Sequence, residues 1–320
     1  MKFKMMYSFL NSDIDIVEKA LEEAVHADSA LLREASLHLL QAGGKRIRPL
    51  FVLLAAKFGD YDIHKIKKVA VSLELIHAAS LIHDDVIDDA EIRRGKPTVK
   101  AKWDNRFATY TGDYIFACAL ELMAEIEKPE AHTILSNTMV ELVIGELEQM
   151  KDKYRFDQNL RNYLRRIKRK TALLIESSCQ LGAISANADK EVAWKLAKYG
   201  YYVGMSYQII DDILDFTATE KELGKPSGGD LLQGNITLPV LYAMEDEATA
   251  LKISKVHEDM PKDEMDQIIK MIVQSDAIEK ARRISNLYLD KALQMVEQLP
   301  DNPSKTALRN IAKYIGRRKF

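Results

Sequence analysis

Two short acidic runs hold the residues best suited to chemistry. The first reads His83-Asp84-Asp85-Val86-Ile87-Asp88-Asp89 and is followed by Arg93-Arg94-Gly95. On a helix, Asp84 and Asp88 stand one turn apart and share a face. Like charges there oppose the helix, and acids at a helix C-terminus oppose its macrodipole. The run is costly unless cations join it; the plainer alternative is a solvated helix end. The second run, Gln208-Ile209-Ile210-Asp211-Asp212-Ile213-Leu214-Asp215, repeats the spacing with Asp211 and Asp215. Carboxylates without Cys or His favour a hard cation over zinc. Mg²⁺ needs only one or two protein carboxylates and completes its octahedron with water and phosphate oxygens. Two facing carboxylate pairs therefore suit a diphosphate held between them by several Mg²⁺ ions.

Cations follow the same logic. Gly43-Gly44-Lys45-Arg46-Ile47-Arg48-Pro49 combines flexible backbone N–H groups with guanidinium forks, an arrangement that cradles anions. A surface charge run is the bland alternative for this segment. Arg93-Arg94, just past the first acidic run, suggests a substrate that bridges metal and guanidinium. The stretch Arg161 to Thr171 carries six further cations. Only Tyr163 could stack a base within it, so nucleic acid is not its partner. Most of that stretch reads as a solvated face, with Lys170 and Thr171 pointing inward. No Ser–His–Asp or Cys–His arrangement suggests a nucleophile.

These residues need long helices to position them. Gly numbers 14 and Pro 8 in 320 residues, below the roughly 7% and 5% of average chains. Apolar residues recur at helical spacing, as in Ile66, Val69, Ala70, Leu73, Ile76 and His77. The pattern predicts helices from Ser12, opened by a capping box with Asp15, through His26; over 29–41 and 50–58; and over 63–88, 105–124, 130–150, 160–185 and 190–216. They resume near Leu238 and end with 305–314. No stretch shows strand alternation. The expected fold is all-α: one large bundle of long helices, a single domain over 1–320. Hydrophobic residues make up 47% and charged residues 29%, with a net charge of −2, which excludes disorder and a global field for nucleic acid or anionic membrane. Cys118 and Cys179 read as small buried hydrophobes. No secretory signal or transmembrane helix is legible, so a cytoplasmic location is expected.

Taken together, the motifs resemble those of trans-isoprenyl diphosphate synthases, all-α enzymes with a central cavity that elongate an allylic diphosphate with isopentenyl diphosphate. Gly43 to Pro49, His83 to Asp89 with Arg93-Arg94-Gly95, Lys170-Thr171, Gln208 to Phe216 and Gly224-Lys225 appear in order along nearly the whole chain. More closely, His38-Leu39-Leu40-Gln41-Ala42, Lys151 to Asp157 and Tyr314-Ile315-Gly316-Arg317-Arg318 resemble the larger, catalytic subunit of two-component heptaprenyl diphosphate synthases, which make the menaquinone side chain.

The resemblance implies roles. Asp84, Asp88 and Asp85 would hold Mg²⁺ on the allylic diphosphate, and Asp211, Asp212 and Asp215 a further Mg²⁺, two or three ions in all. Lys45, Arg48, His77 and Arg94 match positions that bind isopentenyl diphosphate. Arg93, Lys170, Thr171, Gln208 and Lys225 match positions that bind the allylic diphosphate, and Lys170 also stabilises the leaving group. Many single-chain relatives carry a Lys where Asn235 stands in Gly234-Asn235-Ile236-Thr237-Leu238-Pro239, so one cation is missing. Ala78, Ala79 and Ser80 are small where short-chain members carry an aromatic ring. At about 1.5 Å per residue, Ala79 lies about 7.5 Å below Asp84, so no bulky ring blocks a tail there, close helix packing being the plainer alternative. The closer resemblance implies a C35 product, with C30 as the alternative, grown from a primer such as farnesyl diphosphate. A smaller, non-catalytic partner subunit is expected as a heterodimer, a homodimer of the isolated chain being the alternative. The lipophilic product implies transient membrane contact. A terpene cyclase shares only the first acidic run and needs no Lys45–Arg48 cradle; a non-catalytic subunit of such a synthase loses the acidic runs, both intact here.

Overall fold

The computed structural model describes residues 3–219 and 227–318. Its elements are almost all helical: α1 Asn11–Ala24, α2 Ala30–Leu40, α3 Ile47–Ala56, α4 Ile63–Ile87, α5 Val99–Lys102, α6 Asn105–Ala124, α7 Pro129–Asp152, α8 Leu160–Ile167, α9 Leu173–Ser185 and α10 Lys190–Thr217. Shorter helices follow, then Lys262–Gln274, Ala277–Glu297 and Pro303–Gly316. Side-chain caps set several starts: Ser29 accepts from the Leu32 N–H, Asp62 from that of His64 and Asp104 from that of Phe107. Asn159 and Asn162 form a reciprocal capping box on α8.

The chain divides into two compact units that interleave along the sequence. The first comprises residues 1–135, 177–197 and 300–307; the second, 136–176, 198–299 and 308–320. In the first, α4 packs chiefly on α6 and α3. It is buried on every side between Val69 and Ile76, as a helix without a single polar face must be. In the second, Tyr163, Ile167, Ala172, Met205, Ile209, Ile210 and Ile213 form a core beneath α10. A neighbouring cluster runs from Phe216 through Val240 to Ile272. Cys118 and Cys179 are buried free thiols. Among the described residues no helix is long and apolar enough to cross a membrane.

The structure departs from the sequence-based expectations at four places. The Ser12–Asp15 capping box is absent: α1 begins at Asn11 with no side-chain cap, because 3₁₀ turns over Phe3–Leu10 run directly into it. Helix α3 starts at Ile47, earlier than expected, so Pro49 falls inside its first turn. The expected unbroken helix over 160–185 is interrupted by a π-helical turn at Lys168–Ala172. Two-residue strands, Ile92–Arg93 and Lys96–Pro97, pair antiparallel with Arg93 opposite Lys96. Their turn is Arg94-Gly95 with φ of 53° and 75°, the paired positive values of a type I′ hairpin. Periodicity could not reveal so short a strand pair.

Candidate active site

In the first unit, the acidic run closes α4 and is sorted by its neighbours. Asp85 is 2% exposed and accepts from Arg93, Nε at 2.8 Å and Nη2 at 2.6 Å. Burial pushes its carboxyl above the usual range against the pull of Arg93. Asp89 and Glu91 are both tied by Lys100. Two of the four acids are thus matched to cations within the unit. Asp84 and Asp88, one turn apart and half-buried, share another face, as their spacing demands. The structure places Arg93 on Asp85, giving it a structural contact that the sequence did not suggest.

The basic junction divides in a similar way. Arg46 lies in the left-handed region at φ 46° and is engaged inside the protein. It bonds Glu18 at 2.6 and 3.1 Å, Glu74 at 3.1 Å and the Leu40 carbonyl at 2.7 Å. Only 12% of its side chain is exposed, so it fastens α3 to α1 and α4. Of the segment's three cations Arg46 is thus held by the protein's own carboxylates, while Lys45 is exposed and Arg48 half-buried. Arg94 reaches the junction from the hairpin and donates to the Gly43 carbonyl. A Cβ at Gly44 would lie 2.9 Å from its Nη1, and the backbone there has φ 150°, which side chains rarely adopt. His77 is surrounded by this charge. Burial, then Arg48, Arg94, Arg93 and Arg46, hold its ring well below the usual imidazole range, leaving it neutral. Ala78 and Ala79 are buried and Ser80 half-buried, with the Ser80 hydroxyl donating to the His77 carbonyl.

In the second unit, the π-helical turn displays Lys170 and Thr171. Such turns shift the register of the residues after them and recur at functional sites. Lys170 Nζ lies 3.1 Å from Glu146. Gly204 of α10 lets the turn come close, since a Cβ there would stand 2.6 Å from the Ala172 Cα. A chain of hydrogen bonds runs inward from it. Thr171 Oγ1 donates to Gln208 Oε1 at 2.7 Å, and Gln208 Nε2 donates to Asp212 Oδ1 at 2.8 Å. The buried Tyr163 hydroxyl donates to Asp212 Oδ2 at 2.6 Å. Both Asp212 oxygens therefore accept. Burial first, then Asp230, pushes the carboxyl up to about 8 against these two donors. Asp212 is a hub that orients its neighbours, a role its position in the run did not reveal. Asp215 is buried and accepts from the Asp230 N–H at 3.2 Å. Asp211 is half-exposed and bonded by Arg318 at 3.0 Å, whose guanidinium lies 5.0 Å from the Tyr207 ring.

The basic stretch over 161–171 is only in part the solvated face expected: Arg161, Arg165 and Lys168 are exposed. Arg166 is 6% exposed and donates to Gln158 and the Ile236 carbonyl. Arg169 bonds Glu141 and Glu148. The acids that answer Arg169 sit on α7, too far away in sequence to be paired with it by spacing. Tyr163 and Arg318 are further site neighbours that the sequence reading did not assign. The signal for Tyr163 was an aromatic hydroxyl on an otherwise apolar helix face, which requires a partner once buried. Lys225 lies outside the described residues.

Among the described residues no three carboxylate, imidazole or thiol groups converge to enclose a metal. Carboxylate pairs without a closed cage fit Mg²⁺ shared with a phosphate ligand, because that ion keeps most of its shell for water and substrate.

Comparison with known proteins identifies the family. A family model described as Polyprenyl synthetase matches residues 29–274. "Heptaprenyl diphosphate synthase component 2" of Bacillus subtilis (strain 168) is 63% identical over 320 residues, covering all of this chain and 92% of that protein. The crystal structure of heptaprenyl diphosphate synthase from Staphylococcus aureus superimposes with a TM-score of 0.93 at 46% identity, covering 97% of this chain and 98% of that one. A polyprenyl synthase from Caulobacter crescentus CB15, complexed with calcium and isoprenyl diphosphate, gives a TM-score of 0.94 at 30% identity over 99% and 98%. This chain belongs to the polyprenyl synthetase family.

Proposed function

We propose that this prenyltransferase condenses isopentenyl diphosphate with an allylic diphosphate, farnesyl diphosphate as primer, to give all-trans heptaprenyl diphosphate of 35 carbons. The observation that carries the reading is the 63% identity, over the whole chain, to a heptaprenyl diphosphate synthase component 2. On this reading both units serve one catalytic domain over 1–320, working in the cytoplasm with a smaller, non-catalytic subunit to make the menaquinone side chain. The Lys45–Arg48 cradle argues against a terpene cyclase, which has no second diphosphate to hold.

The chemistry is a substitution at carbon. The allylic C1–O bond breaks and its electron pair leaves with the diphosphate. The alkene of isopentenyl diphosphate supplies the pair for the new C–C bond, and a proton is lost to the departing diphosphate as the new double bond forms. Asp84, Asp88, Asp211 and Asp215 would hold two or three Mg²⁺ ions, which when bound neutralise the charge gathering on the leaving group. Asp85 positions Arg93, and Asp212 positions Gln208 with the help of Tyr163. Lys170, Thr171, Gln208, Arg93 and Lys225 bind the allylic diphosphate. Lys45, Arg48, Arg94 and neutral His77 bind that of isopentenyl diphosphate. Fixed cations in a dry site favour charge separation because they need not reorganise as it develops.

The test is incubation with farnesyl diphosphate, radiolabelled isopentenyl diphosphate and Mg²⁺, with and without the smaller subunit. Chromatography of the dephosphorylated products should show C35 from the pair and little product from the chain alone. Full activity of the chain alone would remove the two-subunit reading; no condensation in either case would remove the function.

A further inference from the structure

The hairpin that carries Arg93 and Arg94 has only one pair of two-residue strands, and an isolated two-stranded hairpin is marginal in water. Its turn also keeps a non-glycine residue, Arg94, at positive φ, which is disfavoured. What surrounds the hairpin must therefore fix its position. Three bonds from the end of α2 and the loop after it do so. His38 Nε2 lies 2.7 Å from the Pro97 carbonyl. Lys96 Nζ donates to the Gln41 carbonyl at 3.3 Å, and Arg94 donates to that of Gly43. Thr98 closes the hairpin base, its hydroxyl donating to the Ala90 carbonyl at 2.8 Å and its N–H to that of Glu91 at 3.0 Å.

His38 is the member of this set with a rigid, braced side chain. Its ring meets Trp103 edge-on, with centroids 5.7 Å apart and planes at 87°, and Trp103 leans on Phe107 at 6.1 Å. Pro97 has no N–H, so its carbonyl is the one backbone polar group it can offer. A carbonyl only accepts, so Nε2 carries the proton. The bond is short and joins residues far apart in the chain.

We propose that His38 is a positioning residue: by clamping Pro97 it sets where Arg94 stands against Gly43 and Gly44, and so how well the cradle binds a diphosphate. The consequence for substrate rests on the function proposed above, in which Arg94, Lys45 and Arg48 hold isopentenyl diphosphate. The clamp itself does not rest on it. His38 touches neither substrate nor reacting atoms on this reading.

Two variants separate the bond from the ring. His38→Phe keeps an aromatic ring for Trp103 and removes the donor; His38→Gln keeps an N–H donor without the ring. Hydrogen exchange of the amides over 90–98 reads the clamp directly. His38→Phe should speed exchange there about three- to tenfold, the loss of one hydrogen bond, and His38→Gln should restore most of the protection. In steady-state assays with the smaller subunit, His38→Phe should raise KM for isopentenyl diphosphate by a similar factor. KM for the allylic substrate and kcat should stay within about twofold. Unchanged exchange in His38→Phe, or equal loss in both variants, would overturn the clamp. Faster exchange with both KM values raised alike would overturn its link to the cradle. A parent enzyme that performs no condensation would instead sink the proposed function, and the exchange result would stand apart from it.

Discussion

The two acidic runs share a sequence pattern but are supported by different physics. The first is sorted by salt bridges, with Arg93 on Asp85 and Lys100 on Asp89. The second is organised by a buried hydrogen-bond chain from Thr171 through Gln208 and Asp212 to Tyr163. The residues one turn before each run differ too: Ser80 before Asp84, and Tyr207 beneath Arg318 before Asp211. In the first run only Asp85 is buried, at 2% exposed, whereas in the second Asp212 and Asp215 are both buried to that extent. Asp84, Asp88 and Asp211 are the more open acids, while Asp85, Asp212 and Asp215 are held inside the protein.

The comparison can be broken most severely at the outer acids. Asp84→Ala and Asp211→Ala should each lower condensation about 10²–10³-fold, the usual cost of removing one group that answers transition-state charge. Circular dichroism should remain native. A native variant within a few-fold of the parent would remove that run from the metal assignment.

A second change exploits the small residues before the first run. Ala79→Phe should stop elongation near C15 to C20, because a ring in a close-packed path cannot be accommodated without strain. Unchanged long product would show that Ala79 serves helix packing alone.

The inner acids predict a difference in stability. Arg93→Ala leaves Asp85 buried without its cation and should cost about 2–3 kcal/mol, less than a wholly buried pair because Arg93 is partly exposed. Tyr163→Phe removes one bond to a carboxylate that keeps Gln208 and should cost about 1–2 kcal/mol. Urea denaturation reads both, and the reverse order would undo the contrast drawn here.

Substrate constants sharpen it further. Arg48→Ala should raise KM for isopentenyl diphosphate more than for the allylic substrate, and Lys170→Ala the reverse. Equal effects from both would merge the two diphosphate sites.

The smallest effect is a pH dependence from His77. Its folded pKa lies below the unfolded value of 6.5, so below that value the unfolded chain binds a proton that the folded one refuses. Stability should therefore be complete well above pH 6.5 and fall as pH drops, by up to about 1.4 kcal/mol per unit. His77→Gln should flatten that limb; an unaltered slope would exclude His77 as its cause.

Much of this was legible in the sequence because helices advertise themselves. The bounds of α2, α4, α6 and α10 fell within a residue or so of those expected, since their apolar spacing and their Asp or Ser caps are local signals. The acidic runs and the glycine pair were legible for the same reason. The partners were not. Nothing near Arg46 in the chain announces Glu18 or Glu74, nothing near Arg169 announces Glu141 and Glu148, and Tyr163 finds Asp212 only through folding. The π-helical turn was hidden because its residues, Lys168 to Ala172, fit an α-helix equally well by propensity. What makes it widen is tertiary: Arg169 and Lys170 reach for α7 while Thr171 reaches for Gln208.

The central claim is that both runs carry metal together with a diphosphate. Mn²⁺ titration followed by electron paramagnetic resonance, with an unreactive allylic thiolo-diphosphate bound, counts those ions directly. The account predicts two or three Mn²⁺ in the parent and at least one fewer in each of Asp84→Ala and Asp211→Ala. An unchanged count in either variant would contradict it.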